Sequence, residues 1–318
     1  MAKYQRIGLH VSAAGGVENA PERAKELGAE CFQFFSRSPR GGKAPEIGDE
    51  QARQFQERCE KYGMASYIHT PYYINFASKK NSLAKAAPRI VREELERGSK
   101  LGVKYVMTHL GSARDWDKDN FQSSSRRLGA MAGAAISNFQ KPRNALNQVI
   151  AGLKEIYSDW PPAASPTAKT MGGDKKFFTE LLIEISAGAG AVIGDSFEEL
   201  GYILKELGRS DVHVCLDTCH MFASGYDIRT VGAIDETMRQ FHKHIGINRL
   251  KLVHVNDSKA DLGEHKDRHE HIGKGKIGEA GFKVLLAHKD WQKVNFILET
   301  KHDSLIKHDM QFLKENRR

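Results

Sequence analysis

The sequence predicts an α/β protein of the (β/α)8 type, a TIM barrel. Three observations support this prediction. Short β-rich runs alternate with longer helical patterns, which favours βαβ units and a parallel sheet. Eight such runs occur in 318 residues, and that number favours a closed barrel over an open, doubly wound sheet. The open sheet is further disfavoured because no Gly-x-Gly-x-x-Gly motif follows the first strand, where the chain reads AAGGV.

Apolar, β-branched and aromatic residues are concentrated in the segments predicted as strands. In chain order these segments are residues 6–12, 31–36, 66–70, 104–110, part of 177–187, 212–219, 250–257 and 295–300. Apolar residues at helical spacing lie between or after them. The helical patterns cover residues 17–28, 49–63, 89–102, 197–208, 236–246 and 305–316.

Residues 114–176 interrupt this alternation, and we predict an insertion after the fourth strand of a single domain spanning 1–318. The segment contains a helical pattern over residues 131–160, in which Pro142 requires a break or a new helix start. A stretch rich in Pro, Ala, Ser and Gly follows, and this composition is typical of a loop. We expect that loop at the amino ends of the strands, away from the functional face.

The composition is that of a globular protein, with 40% apolar and 28% charged residues. The formal charge of +8 favours a polyanionic partner such as nucleic acid. Four cysteines are too few for a disulfide framework in a chain of this length. The first residues, MAKYQRIGLHVS, lack the long apolar core of a secretory signal. We therefore expect a cytoplasmic monomer with no membrane span.

Metal-binding types of side chain recur where the predicted strands end. A TIM barrel carries its active site at the carboxyl ends of its strands. Nine candidate ligands lie there or in the loop after strand seven: His69, His109, Glu184, Asp217, His220, His254, Asp267, His269 and Glu299. Buried charged groups of this kind are costly unless they are paired or bind cations.

Each of these residues alone is weak support for a metal site, because a single histidine at a strand end is more often hydrogen-bonded within the core. Their convergence on one rim favours metal binding. Imidazole and carboxylate together suit zinc in a catalytic site, with manganese or iron as alternatives. Nine ligands exceed the needs of one ion and indicate two or three. Cys215 and Cys219 are interpreted as buried packing residues, with a thiolate ligand as the less favoured alternative.

The sequence resembles the endonuclease IV family of zinc-dependent apurinic/apyrimidinic (AP) endonucleases. The matching stretches are GLHVSAAGGVENA, HTPYYINFAS, THLGS, IEISAGAG, CLDTCHMFASGYD, HVNDSK, DRHEHIGKGKIG and ILET. They occur in the family's order and cover most of the chain outside residues 114–176. The resemblance implies a TIM barrel with three zinc ions that cleaves double-stranded DNA on the 5′ side of abasic sites. The products would be a 3′-hydroxyl and a 5′-deoxyribose phosphate, and blocked 3′ ends would also be trimmed.

The resemblance also assigns the ligands to three ions and implies a catalytic role for Glu184, which would bridge the first two. The first set is His69, His109 and Glu184; the second is Glu184, Asp217, His254 and Glu299; the third is His220, Asp267 and His269. Arg40 and Tyr72 correspond to residues that contact DNA in the family. Lys259 and Arg268, in the basic loop after strand seven, are further candidates for phosphate contacts.

Three other functions remain as alternatives. A divalent-metal sugar isomerase also places histidine and carboxylate side chains at strand ends, but five histidines and a third ligand set disfavour it. A non-catalytic DNA-binding barrel would not require a complete ligand set. A metal-storage protein would not require ligands from six strands. Incision of a duplex with one abasic site, with and without chelator, distinguishes all of these.

Overall fold

Eight parallel strands close into a barrel in the computed structural model, which describes residues 5–116, 141–158 and 178–317. The barrel strands are β1 (Ile7–Val11), β2 (Cys31–Phe34), β3 (Ala65–His69), β4 (Tyr105–Thr108), β5 (Glu180–Glu184), β6 (Val212–Asp217), β7 (Leu250–His254) and β10 (Asn295–Leu298). Strands adjacent in this order pair with each other, and β10 closes the barrel against β1. The predicted fold class is confirmed.

Helices surround the barrel. They are α1 (Ala20–Glu26), α2 (Asp49–Tyr62), α3 (Asn81–Leu101), α4 (Arg143–Ile156), α5 (Phe197–Leu207), α6 (Thr218–Ala223), α7 (Val231–His244), α8 (Gly278–Ala287) and α9 (Ile306–Asn316). Short 3₁₀ turns cover Val17–Asn19, Ile247–Arg249 and Lys289–Trp291. Two further strands, β8 (Asp257–Ser258) and β9 (His269–Glu270), form a small antiparallel ribbon after β7.

Most element bounds lie close to the predicted ones, but the helix predicted from Arg89 begins earlier, at Asn81. The prediction placed the start after Pro88, which lacks an amide donor. The structure keeps Pro88 within the helix and buries it, while the preceding residues include the good helix formers Leu83 and Ala84. The other proline behaves as one of the two predicted alternatives, because α4 starts directly after Pro142.

Side chains alternate along each strand between the barrel interior and the layer under the helices. The interior layer consists of Cys31, Tyr67, Tyr105, Met107, Leu182, Cys215, Leu252 and Ile297. Gly8 takes the corresponding place on β1, where an added Cβ would lie 1.8 Å from the carbonyl oxygen of Cys31. The barrel is therefore packed throughout this level, and a functional site must lie at one of its ends.

The described part of the predicted insertion is largely α4, which packs between α3 and α5 as the fourth helix of the outer ring. Residues 117–140 and 159–177 lie outside the described residues, and with them the predicted Pro-rich loop. Among the residues described, no helix combines the length and apolar character needed to cross a membrane.

Candidate metal centre

The candidate site begins two residues beyond the interior layer on each strand, towards the carboxyl end of the barrel. Residues two positions further along each strand point to the same side of the sheet. From β1 to β10 this position holds His10, Gln33, His69, His109, Glu184, Asp217, His254 and Glu299. Each strand thus contributes one polar side chain to a ring at the carboxyl end of the barrel. Six of the eight are predicted metal ligands.

The remaining three predicted ligands come from the connections after β6 and β7. Asp217 caps α6, because its Oδ1 accepts a hydrogen bond from the amide of His220 at 2.8 Å. That cap turns His220 towards the ring, where it is buried. Asp267 precedes the ribbon strand β9, and His269 begins it. The ribbon places both over His220.

Glu184 lies at the centre of the first two predicted ligand sets. Its Oε2 lies 3.4 Å from Nε2 of His109. Its Oε1 lies 2.9 Å from Nδ1 of His254, which is also 3.2 Å from Oε2 of Glu299. The two carboxylate oxygens of Glu184 therefore face different histidines, as a bridging carboxylate requires.

Ligand atoms meet within 4.8 Å of one another in four groups, and three of these match the sets that the resemblance implied. Those three are His69, His109 and Glu184; Glu184, Asp217, His254 and Glu299; and His220, Asp267 and His269. In the third group Nε2 of His220 lies 3.3 Å from Oδ1 of Asp267 and 3.4 Å from Nε2 of His269. All nine predicted ligands are thus brought together.

The buried polar atoms of the ring fit bound cations. Oε2 of Glu184 is buried without a hydrogen-bond partner among the described residues, and such an atom is costly unless something compensates it. Burial alone would lower the pKa of His220, but Asp217 and Asp267 raise it well above its ordinary value. The carboxylates thus create a negative potential that favours positive charge here, either protons or metal ions.

Three of the histidines have a second ring nitrogen engaged by a neutral oxygen. Nδ1 of His69 lies 2.5 Å from the carbonyl oxygen of Thr70. Nδ1 of His220 lies 2.9 Å from the carbonyl oxygen of Ile185. Nε2 of His254 lies 2.9 Å from Oε1 of Gln33. Each acceptor fixes a proton on that nitrogen and leaves the other nitrogen free to bind a metal.

Both cysteines of the CLDTCH motif are fully buried. Cys219 lies in the fourth group, with Asp217 and His269. Burial, with Asp217 nearby, raises the pKa of Cys219 to about 12. In the metal-free protein the thiol is therefore a neutral, buried group, as expected of a packing residue.

One of the predicted DNA-contacting residues, Tyr72, lies beside the ring. Tyr72 is 67% exposed, and its ring centroid lies 5.6 Å from that of His69 and 5.1 Å from that of Phe35. Arg40 is exposed in the loop after β2. An aromatic side chain held beside the ligands yet open to solvent is suited to stacking on a bound molecule.

The two basic residues predicted in the ribbon have partners within the protein. Nζ of Lys259 lies 3.4 Å from Oε2 of Glu270. Nη1 of Arg268 donates to the carbonyl oxygen of Asp267 at 2.7 Å. Both of these contacts lie within the exposed loop after β7, and contact of the two side chains with phosphate stays a prediction.

Sequence reasoning missed the polar residues that support the ligands. Asn256 donates from Nδ2 to Oδ2 of Asp217 at 2.7 Å, and its Oδ1 accepts from the amide of Glu299 at 2.9 Å. Gln33 contacts two ligands, His254 and Glu299. Gln33 could have been noticed as a polar side chain in an otherwise apolar strand, where such a group requires partners, whereas Asn256 stands in a polar run and gave no such signal.

The ribbon has its own supports, also missed. Asp257 accepts hydrogen bonds from the amides of Gly273, Gly275, Ile277 and Gly278 at 2.9–3.2 Å. Nδ1 of His271 lies 2.6 Å from Oδ2 of the buried Asp309 on α9. No pattern in the sequence indicated the second of these contacts, because the partners are 38 residues apart.

Comparisons with known proteins agree with this geometry. Residues 21–316 match the family model of the xylose isomerase-like TIM barrels. The chain is 34% identical to a probable endonuclease 4 from Natronomonas pharaonis, covering 93% of this chain and 91% of that protein. It is 35% identical to a probable endonuclease 4 from Aquifex aeolicus, covering 92% and 91%.

Solved structures give the same result. The crystal structure of endonuclease IV from Thermus thermophilus is similar with a TM-score of 0.75 and 28% identity, over 98% of both chains. A D-tagatose 3-epimerase-like protein, at 17% identity and a TM-score of 0.65, covers 97% of this chain and 96% of its own, and shares the fold alone. The endonuclease IV structure is more similar to this chain than the epimerase-like protein is, both in sequence identity and in TM-score. The chain belongs to the endonuclease IV family of the xylose isomerase-like TIM barrels.

Proposed function

We propose that the protein is a metal-dependent DNA repair endonuclease that hydrolyses the phosphodiester on the 5′ side of abasic sites. Family membership supports the nuclease activity and the DNA substrate. The observation that carries the proposal is the convergence of nine histidine and carboxylate side chains on the carboxyl rim of the barrel. Five of these nine side chains are histidines, and this disfavours a sugar isomerase site, which would be rich in carboxylates.

We further propose that the three groups hold three zinc ions, with manganese or iron as alternatives at one of them. The donor set supports this, since it consists of imidazole and carboxylate without an ionised thiol. When bound, clustered metal ions lower the pKa of water and stabilise charge on attacking and leaving oxygens. This chemistry fits phosphodiester hydrolysis to a 3′-hydroxyl and a 5′-deoxyribose phosphate.

The protein's own residues would divide the remaining work. Glu184 faces two ligand groups and would hold them at a fixed separation. Tyr72 and Arg40 would contact the DNA beside the abasic nucleotide. Such a nucleotide is easily extruded, because no base pair has to be broken. The same displacement would trim blocked 3′ ends.

We also propose that residues 1–318 form one monomeric domain, in which residues 114–176 are an insertion. The place of α4 in the outer ring supports this, since the barrel continues on both sides of the segment.

Incision of a labelled duplex that carries one abasic-site analogue tests the function. We expect a single cut 5′ to the lesion, no cut in the matched intact duplex, and loss of cutting after prolonged chelation at raised temperature. Elemental analysis should give about three zinc ions per chain. Full activity in metal-free protein would contradict the proposal. Epimerisation or isomerisation of a free sugar without DNA incision would support the alternative function instead.

A further inference from the structure

One member of the polar ring is neither titratable nor part of a ligand group. Gln33 lies on β2 with its side chain in the barrel interior and is fully buried. It lies between Cys31 and Phe34 in a strand that is otherwise apolar. A buried primary amide has four hydrogen-bonding positions to satisfy, so its partners determine whether it is tolerated there.

The partners of Gln33 include two of the ligands assigned to the second metal. Oε1 of Gln33 lies 2.9 Å from Nε2 of His254. Nε2 of Gln33 lies 2.7 Å from Oε1 of Glu299 and 3.1 Å from Nδ1 of His10. The single amide thus spans from an imidazole to a carboxylate of the same ligand group.

These contacts fix the direction of every hydrogen bond. A carboxylate oxygen only accepts, so the atom that faces Glu299 must be the amide nitrogen. The carbonyl oxygen then faces His254 and requires the proton of that ring to lie on Nε2. The metal would therefore bind at Nδ1, the nitrogen that faces Glu184 and Glu299 at 2.9 and 3.2 Å, in exchange for the proton that Nδ1 shares with Glu184 in the metal-free protein.

The other two histidines with a defined second contact use backbone carbonyl oxygens for the same purpose. A backbone acceptor is present whatever the side chains are, whereas the acceptor for His254 is a side chain that a single substitution removes. The proton position of His254 is therefore the one among these three that depends on another residue's identity.

We propose that Gln33 is a positioning residue of the second metal group: it holds His254 in the tautomer with Nδ1 free for the metal, and it orients Glu299. The inference rests on the proposed metal centre. Gln33 itself contacts no substrate or metal in this assignment. Its effect is exerted through metal affinity at one group of the three.

The test measures zinc affinity rather than incision. Wild type and variants are stripped of metal, reloaded with Zn²⁺ and titrated with a chromophoric chelator, and the zinc retained per chain is counted. Gln33→Leu removes both contacts, so that Nε2 of His254 loses its acceptor and Oε1 of Glu299 loses its amide donor. Loss of such an outer contact weakens metal affinity by about 10–100-fold. We expect one zinc per chain to become that much weaker while the others are retained.

Two further variants make the result specific. Gln5→Leu is the matched control, because Gln5 is also buried but its Nε2 donates to the carbonyl oxygen of Trp291 at the opposite end of the barrel. It should retain all the zinc of wild type. Gln33→Glu keeps an acceptor for His254 and nearly the same shape, but it faces the carboxylate of Glu299 with a second acceptor, so it should weaken zinc binding at the second group through Glu299 alone. Thermal unfolding of the metal-free proteins shows whether each variant is folded.

The outcomes separate the two proposals. Wild type that binds no zinc would contradict the metal centre itself. Wild type that binds zinc, together with a folded Gln33→Leu that binds it equally well, would overturn the role of Gln33 alone. A uniform loss of zinc affinity at all groups would also overturn it.

If Gln33→Leu does not fold, Gln33→Glu is compared with wild type and Gln5→Leu instead. Gln33→Glu has no amide N–H to donate to Glu299, so the proposed orienting role requires weaker zinc binding at the second group. Zinc affinity equal to that of wild type in this variant would overturn that role.

Discussion

The two ends of the barrel handle buried charge differently. At the amino end, Nη2 of Arg317 lies 2.8 Å from Oε1 of Glu30, whose Oε2 also accepts from the amide of Ile7 at 3.0 Å. At the carboxyl end, the carboxylates of the ring are compensated by imidazoles and amides, and Oε2 of Glu184 has no hydrogen-bond partner among the described residues. The Glu30–Arg317 pair is balanced within the protein, whereas Glu184 keeps a buried carboxylate oxygen that is available to a cation. In TIM barrels generally, the first arrangement serves stability and the second serves activity.

The largest expected effect lies at the centre of the ring. Glu184→Gln keeps the shape of the side chain but removes its charge between two ligand groups. We expect incision to fall by at least about a thousandfold, the scale seen when a key electrostatic contribution is removed. DNA binding should be retained, as measured by titration with abasic duplex. Activity within about tenfold of wild type would exclude the bridging role.

At the same end of the barrel, a substitution in the ribbon that carries Asp267 and His269 should have a smaller effect than Glu184→Gln. His271→Ala removes the contact to Asp309 that ties the ribbon to α9. We expect zinc affinity of the third group to fall by about 10–100-fold, as read by chelator competition, with the other groups unchanged.

The matched control for this variant is His242→Ala. His242 makes a similar contact to Asp290, with Nε2 and Oδ2 2.7 Å apart, on the exposed surface of α7. It should change zinc affinity at none of the groups. Equal zinc affinity in His271→Ala and wild type would show that the ribbon is held in place without α9.

Tyr72, beside the ring, and Arg40, in the loop after β2, should affect recognition and leave metal content unchanged. Tyr72→Ala removes an exposed aromatic surface, and base or sugar stacking on such a surface contributes about 1–3 kcal/mol. We expect roughly tenfold weaker binding to abasic duplex, with a smaller change for intact duplex. Arg40→Ala should likewise weaken binding to abasic duplex more than binding to intact duplex. Equal weakening on both duplexes would indicate general phosphate contacts instead.

The smallest effect is expected at the amino end. Glu30→Gln weakens the pairing with Arg317, and for a partly exposed pair the cost is about 1 kcal/mol in the free energy of unfolding. Burial opposes the ionised form of Glu30, but Arg317 and the amide of Ile7 lower its pKa below the ordinary value of 4.5. The stabilisation is therefore present above pH 4.5 and is lost as the pH falls through the lowered pKa.

Denaturant titrations of wild type and Glu30→Gln at neutral and acidic pH measure this difference. The two proteins should differ in stability at neutral pH and converge in acid, while incision at neutral pH stays within about twofold. A loss of incision without a loss of stability would show that the two ends are coupled.

The strand alternation explains how much of the site the sequence could predict. Tyr67 and His69, or Leu182 and Glu184, lie two residues apart on the same side of a strand. Once the strands are placed, the inward position at each strand end follows, and six of the nine candidate ligands lie at such positions. The assignment of all nine to three groups came from the family resemblance, because strand order alone does not give distances.

The supporting contacts could not be predicted, for a physical reason. Gln33 meets His254 across 221 residues of chain, and His271 meets Asp309 through helix packing. Such contacts depend on side-chain conformation and on the packing of neighbouring elements, which local patterns do not specify. The early start of α3 was missed similarly, since burial of Pro88 outweighs its local preference to end a helix.

The ring of one polar residue per strand has a consequence for how this chain tolerates insertions and deletions. One residue gained or lost within a strand would reverse the facing of every later side chain in it, and a ligand would turn from the lumen to the helices. One residue gained or lost in a connection that carries no ligand leaves all of the ring residues in place. Changes of length are thus confined to connections, where lengthening has a small entropic cost. The long connection between β4 and β5 can therefore diverge freely while His109 and Glu184, on either side of it, keep their places.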